Sequence, residues 1–408
     1  MVNTVDTNES VQFREGARQP VASVRAWEAL DSRAHPTVGC VVTLDSGHQG
    51  RALVPTGASV GQFEVADLRD GGERYGGLGV RDAALRIETT VAKTLAGVPA
   101  GEVDDHLDGG PSNVTLAVSQ AAARAAAAAS GQPLWRYLSG GAEVSLPCPM
   151  VNIFSGGRHA EGGVRVQDFL AIPLAAGSFA EAIGVVWQVR RRAAQLTEER
   201  YGTLMSRLVA DEGGLAVLAG DDAEPLELLA RAIEDVGENV GVAIDVAATQ
   251  IDRPEEFLST LEGWCSRYPI VSVEDPLDDD DWDGWADVTR RIGHLQLVGD
   301  DLFATSAARV DKAAGLGVAN TVLVKPNQVG SLGRAADTVA AARRHGYATV
   351  VSARSGDTED DMIADLAVGW NARQIKVGSI MRSERLAKYN RLLEIESVDG
   401  VRYGGWPR

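Results

Sequence analysis

The chain has 408 residues, of which 45% are hydrophobic and 24% charged. That usage excludes a disordered or fibrous protein and accommodates one large fold with a smaller second domain. Lys+Arg 39 against Asp+Glu 57 gives a formal net charge of −18, a field that repels phosphate backbones and anionic lipid, so nucleic acid and membrane are not the expected partners. Cys40, Cys148 and Cys265 are too scattered for a zinc knuckle or a disulfide framework. No run approaches the ~18 apolar residues of a membrane span, so a reducing cytoplasm is the expected location.

Residues 1–20 are polar and lack an apolar leader, and they are expected to form a flexible tail. VASVRAWEA (21–29) and TVGCVVTLDSG (37–47) predict two strands joined through DSRAHP, with DSG marking a hairpin. From Val80 to about Leu95, and from Leu116 to Tyr137, apolar residues recur at helical spacing. Residues 21–141 therefore predict an N-terminal α+β domain.

From residue 142 to 408 the pattern changes to short apolar runs, each followed by a helix-period segment. Six such units end the chain, starting at GVAIDVAA, PIVSVEDP, LQLVGDD, ANTVLVKPN, YATVVSARSGD and RQIKVGS. Continuous apolar strands alternating with helices predict parallel pairing, closed as a barrel or open as a doubly wound sheet. CPMVNI and FLAIP upstream bring the strand count to eight, which favours an α/β fold of the (β/α)8 barrel type.

Chemistry in such a barrel collects at the C-terminal ends of the strands. Those ends carry, in order, Asp245, Glu274, Asp300, Lys325, Arg354 with Ser355, and Lys376. Any one alone is usually a helix cap or a solvated group, but six in consecutive units, acids first and cations after, are not explained that way. Converging carboxylates without Cys or His point to Mg²⁺ rather than zinc. Two lysines beside that metal are expected to have depressed pKa values, so that one can act as a base. A base opposite a metal that holds a carboxylate suits removal of the proton next to that carboxylate.

LDSRAHPTV, VPTGASVGQFEVADLRDGG, GGRHAEGGVRVQDF, ADEGG, AIDVAAT, SVEDPLDDDDW, LVGDDLFATS, VLVKPNQVGSL, VSARSGDTEDD and IKVGSIMRSERLAKYNRLLEIE occur in order from about Val21 to Glu396. Each is similar to a stretch of the enolase family. The resemblance implies that Lys325 is the general base for the C2 proton of a phosphoglycerate-type acid. It also implies that Glu212, alongside Asp168, is the general acid for departure of the C3 hydroxyl. Asp245, Glu274 and Asp300 would hold one Mg²⁺, and Ser59, in a lid loop, would close over a second Mg²⁺ that enters with substrate. His159 would be a mobile active-site histidine, Lys376 would hold the substrate carboxylate, and Arg354 with Ser355 would hold the phosphate. The resemblance further implies a homodimer.

Three departures stand out. VSARSGD has Ala353 where enolases have a histidine that contacts the phosphate end of the substrate; Asp168 replaces a glutamate; and RAHP replaces Arg-Gly-Asn-Pro. A methyl in place of an imidazole removes a donor and opens space at phosphorus. The pattern resembles the carboxyphosphonoenolpyruvate synthase branch of phosphonate antibiotic pathways, which joins a phosphonoformyl group, delivered as its CMP ester, to a phosphoglycerate. The alternatives are an ordinary phosphopyruvate hydratase, a non-catalytic enolase-fold binding protein, and an acid dehydratase or racemase acting on unphosphorylated acids.

Overall fold

The computed structural model describes residues 15–57, 61–107, 109–161 and 163–407. By internal contact these form two compact units. One holds the chain up to Val144 together with Pro326–Ala336 and Gly356–Asn371; the other holds Ser145–Lys325, Asp337–Ser355 and the chain from Ala372 onward.

The first unit opens with an antiparallel sheet of β1 (Val21–Leu30), β2 (Pro36–Leu44) and β3 (Gln49–Leu53). The turn between β2 and β3 places Gly47 at φ 82°, a conformation that costs glycine no Cβ clash. Helix α1 (Ser112–Ala129) lies directly on this sheet because both surfaces are stripped of bulk. Ala121, Ala122, Ala125 and Ala126 are fully buried, and a Cβ on Gly50 would stand 2.0 Å from the Ala121 carbonyl oxygen. The long helical segment predicted from Leu116 to Tyr137 is interrupted after α1: Gly131 turns left-handed at φ 65° and Pro133 precedes α2 (Leu134–Ser139). The predicted helix ending near Leu95 contains a π-helical turn, Ile87–Val91.

The second unit is a closed barrel of eight strands. These are β4 (Cys148–Ser155), β5 (Asp168–Pro173), β6 (Val240–Asp245), β7 (Ile270–Glu274), β8 (Gln296–Gly299), β9 (Thr321–Val324), β10 (Ala348–Ser352) and β11 (Gln374–Gly378), with β11 pairing β4 to close it. Cys148, Met150, Leu170, Ile172, Ala243, Val298, Leu323 and Val350 form its core. Seven strands run parallel, but β5 is antiparallel to both neighbours. A crossover helix is what returns a chain parallel. Among the described residues, the link from β4 to β5 contains only the short 3₁₀ turn Gly157–His159, and the strand comes back the other way.

Six βα units follow as predicted: α3 (Pro254–Arg267) after β6, α4 (Trp282–Ile292) after β7, α5 (Ala307–Leu316) after β8, α6 (Leu332–Arg344) after β9, α7 (Met362–Gly369) after β10 and α8 (Ser383–Glu394) after β11. Helix α7 is buried on every side and packs on α2 within the first unit.

The Asp360 carboxylate ties this excursion down. It accepts the Leu53 and Met362 amides, each at 2.9 Å, and a bidentate Arg124 guanidinium at 2.7 and 2.8 Å. Arg124→Met leaves Asp360 with an uncompensated charge. Because Arg124 is partly exposed, the expected loss lies toward the lower end of ~3–5 kcal/mol, read from urea denaturation.

Candidate active site

Strand register sets the first row of the site. Across β5, β6 and β7, Asp168 is the partner of Asp245, and Asp245 of Glu274, so three carboxylates stand side by side at one end of the barrel. Asp168 reaches that level from the first residue of its strand, because β5 runs backwards. Opposite them, Lys376 lies in β11 in register with Ser352, and Lys325 directly follows β9.

The two lysines neutralise the acids pairwise. Lys376 Nζ lies 2.6 Å from Asp245 Oδ2 and 2.8 and 2.7 Å from the two Glu274 oxygens. Lys325 Nζ pairs with Asp300 Oδ2. Of the expected magnesium ligands, two therefore meet on Lys376 and the third on Lys325. Burial alone pulls Lys325 down, but Asp300 and Glu274 outweigh it and raise the ammonium above its usual value. For Lys376, Asp245 and Glu274 do the same more strongly. The expected depression concerns lysines beside a bound cation; with the carboxylates paired to the lysines alone, the direction is upward. Burial, then Asp245, pushes Glu274 well above the usual carboxylate range. The all-oxygen donor set of Asp245, Glu274 and Asp300 fits a hard divalent cation such as Mg²⁺.

A second cluster stands beside the first. His159 Nδ1 is 2.9 Å from Asp168 Oδ2, and His159 Nε2 is 3.9 Å from Glu212 Oε1. The other Asp168 oxygen accepts Ser155 Oγ at 2.9 Å and Asn152 Nδ2. Burial pulls His159 down, but Asp168, Glu212 and Asp245 together lift it to about 9. Burial raises Glu212, yet His159, Arg385, Lys376 and Lys325 overcome that and hold it below its usual value. At neutral pH the imidazole is thus the protonated member and Glu212 the ionised one.

The structure places Arg354 and Ser355 just beyond β10. Both are buried and both carbonyls are held by the wholly buried Arg385, at 2.7 and 2.6 Å. Ala353 precedes them, 4% exposed, with its amide on the Lys376 carbonyl at 2.9 Å. Ser59 lies outside the described residues.

Sequence reasoning missed several supports. Asp275 accepts the Asp300 and Asp301 amides at 3.0 and 2.8 Å, fixing the chain that carries Asp300. Gln167 Nε2 donates to Asp245 Oδ2 at 3.1 Å and is itself held by Gln250. Asp275 and Gln167 each adjoin a residue singled out in the sequence, and adjacency was the one available signal.

Residues 21–138 match the family described as the enolase N-terminal domain, and residues 143–405 the one described as the enolase C-terminal TIM barrel domain. The chain belongs to the enolase family. The enolase barrel thus accounts for the second unit, and the carboxylate row lies within the matched region.

Asp275→Asn replaces one of two acceptors facing the Asp300 and Asp301 amides with a donor. Mg²⁺ binding by calorimetry is expected to weaken ~10–100-fold; unchanged binding would show that Asp275 only shapes the turn.

Proposed function

We propose that this enolase-family protein is a Mg²⁺-dependent enzyme that removes the C2 proton of a phosphoglycerate-type substrate and expels its C3 hydroxyl to give an enolpyruvate. More finely, it is a carboxyphosphonoenolpyruvate synthase, which transfers a phosphonoformyl group from CMP-phosphonoformate to an oxygen of the phosphoglycerate and releases CMP. Asp245, Glu274 and Asp300 would hold the metal. Bound Mg²⁺ would supply positive charge to neutralise the substrate carboxylate and to engage Asp300 in place of Lys325.

Lys325 would serve as base, held beside Asp300, one of the expected metal ligands. Lys376 meets the substrate carboxylate, and Arg354 with Ser355 meets the phosphorus group, a charge-assisted contact that suits Arg. The cluster of Glu212, His159 and Asp168 would supply the proton that the departing hydroxyl needs. The observation that carries the finer reading is Ala353: beside a full set of charged groups, the phosphorus end presents a methyl where the family has an imidazole. Loss of catalysis would not spare Lys325, Glu212, Asp245, Glu274 and Asp300 while changing Ala353 and Asp168.

The second reading is an ordinary phosphopyruvate hydratase that works without the imidazole. Losing a contact that strengthens in the transition state costs ~10²–10³ in kcat, which favours the transferase. The expected homodimer is part of this proposal, and light scattering of the purified protein tests it.

Purified protein with Mg²⁺ and 2-phosphoglycerate is expected to form phosphoenolpyruvate slowly by ultraviolet absorbance. Adding CMP-phosphonoformate should give a new phosphonate resonance by ³¹P NMR. Fast dehydration without the nucleotide would make the protein a working hydratase. Lys325→Ala is expected to abolish exchange of the C2 proton with solvent deuterium, and surviving exchange would remove Lys325 as the base. Ala353→His should speed dehydration and suppress phosphonoformyl transfer.

A further inference from the structure

The first unit has a cavity of its own. About 450 Å³ of space lies between the 3₁₀ segment Ala100–His106, helix α1, the end of α2, the first turn of α6 and Trp370, which follows α7. Every residue of its wall belongs to that unit. The volume is that of a small-molecule pocket, for which roughly 300–1,000 Å³ is usual. The space is left because α1 and α6 face it with alanines, Ala123 from one and Ala336 from the other, where longer side chains would fill it.

Two carboxylates mark one wall. Asp104 is partly buried, and its Oδ2 accepts the Gly333 amide at 2.7 Å. The Ser119 hydroxyl donates to Asp104 and accepts the Leu332 amide at 3.0 Å. These bonds cap the first turn of α6, an ordinary task for a carboxylate at a helix N-terminus, but they leave its charge without a counter-ion. Among the described residues Asp104 forms no ion pair, and burial pushes its carboxyl above the usual range in spite of both hydrogen bonds. Asp105, exposed beside it, adds a like charge, and the pull of Arg334 is smaller still.

The rest of the wall supplies no cation. Among the described residues neither Lys, Arg nor His lines the cavity, whereas Tyr137 and Trp370 do. Aromatic side chains beside a carboxylate suit an organic ammonium, whose N–H groups meet the acceptor while its hydrocarbon part meets ring and alanine. An anion would meet two like charges here. A wholly apolar molecule would strip water from Asp104 and give it nothing in return.

We propose that this cavity binds a small organic cation, a primary ammonium on an apolar or aromatic body, with its charged head paired to Asp104 and its body against Tyr137 and Trp370. The site shares no residue with the carboxylate row of the barrel and does not depend on the reaction proposed for it.

The probe is 2-phenylethylamine, an ammonium at neutral pH; 2-phenylethanol and phenylacetate offer a similar body with a neutral and an anionic head. Calorimetry on the full-length protein, with excess Mg²⁺ to compete for the barrel's acids, is expected to show the amine binding at least ~10-fold more tightly than the alcohol, as befits a hydrogen bond to a charged group. Phenylacetate should not bind. Asp104→Asn should weaken the amine ~10–100-fold. Ala123→Leu adds bulk to the wall, keeps a good helix former in α1 and leaves Asp104 in place, and it should abolish binding. In fluorotryptophan-labelled protein, the ¹⁹F resonance assigned by Trp370→Phe should shift as the amine is added. If Asp104→Asn does not fold, the head-group series and Ala123→Leu still decide. No amine binding at millimolar concentration, equal binding of amine and alcohol, or amine binding that survives Ala123→Leu without moving the Trp370 resonance overturns the proposal.

Discussion

The barrel end of this enolase-family protein is organised around charge that cannot be left unpaired. Asp245 and Glu274 are nearly inaccessible to solvent and in register on adjacent strands, which is unfavourable for two carboxylates unless a cation stands between them. Lys376 Nζ, within 2.8 Å of both, is that cation. Lys325 and Asp300 repeat the solution one strand further on, and His159 against Asp168 repeats it on the other flank. Removing one partner of such a pair is costly because the other charge stays behind. The three pairs therefore hold their side chains in place through mutual need, and a ligand gains entry by offering a better partner to one member of a pair.

Backbone geometry turns this electrostatic arrangement into a site. Parallel strands deliver Asp245, Glu274, Asp300, Lys325 and Lys376 from their C-terminal ends, while reversal of β5 delivers Asp168 from its start. Beneath them the groups that fix position are neutral or internally satisfied: Asp275 on two amides, Gln167 on Asp245, and Arg385 on the carbonyls of Arg354 and Ser355. Buried arginine is costly to desolvate, and Arg385 offsets that with bonds to the Arg354, Ser355 and Val377 carbonyls and an ion pair to Glu384.

Much of this was legible beforehand, for physical reasons. Strands buried on both faces write themselves as apolar runs, so all six final units were visible, and the residue ending each run named most of the charged row. Asp168 was invisible to that rule, since it begins a strand instead of ending one; only resemblance to the enolase family singled it out. The interruption after α1 rests on Gly131 and Pro133 inside an otherwise continuous helical period. Without a cation the lysine pKa directions are upward, because Asp245, Glu274 and Asp300 then pair with the lysines themselves. Asp275, Gln167 and Arg385 have no periodic signature, because each acts on backbone or on a neighbour's side chain across a distance in sequence that spacing does not encode.

The division of the chain into two units carries a consequence for how the protein can be cut and exchanged. Pro326–Ala336 and Gly356–Asn371 arise from the barrel's repeating part of the sequence but are counted, by contact, with the first unit. That unit is consequently not a contiguous module: a fragment ending at Val144 would lack α7 and the Asp360 anchor of Arg124. Recombination between relatives at the apparent domain border would separate segments that have to be inherited together. The chain also leaves the barrel unit immediately after Lys325 and immediately after Ser355, so a protease nick in either excursion severs the backbone close to a residue of the charged row while leaving the barrel strands whole.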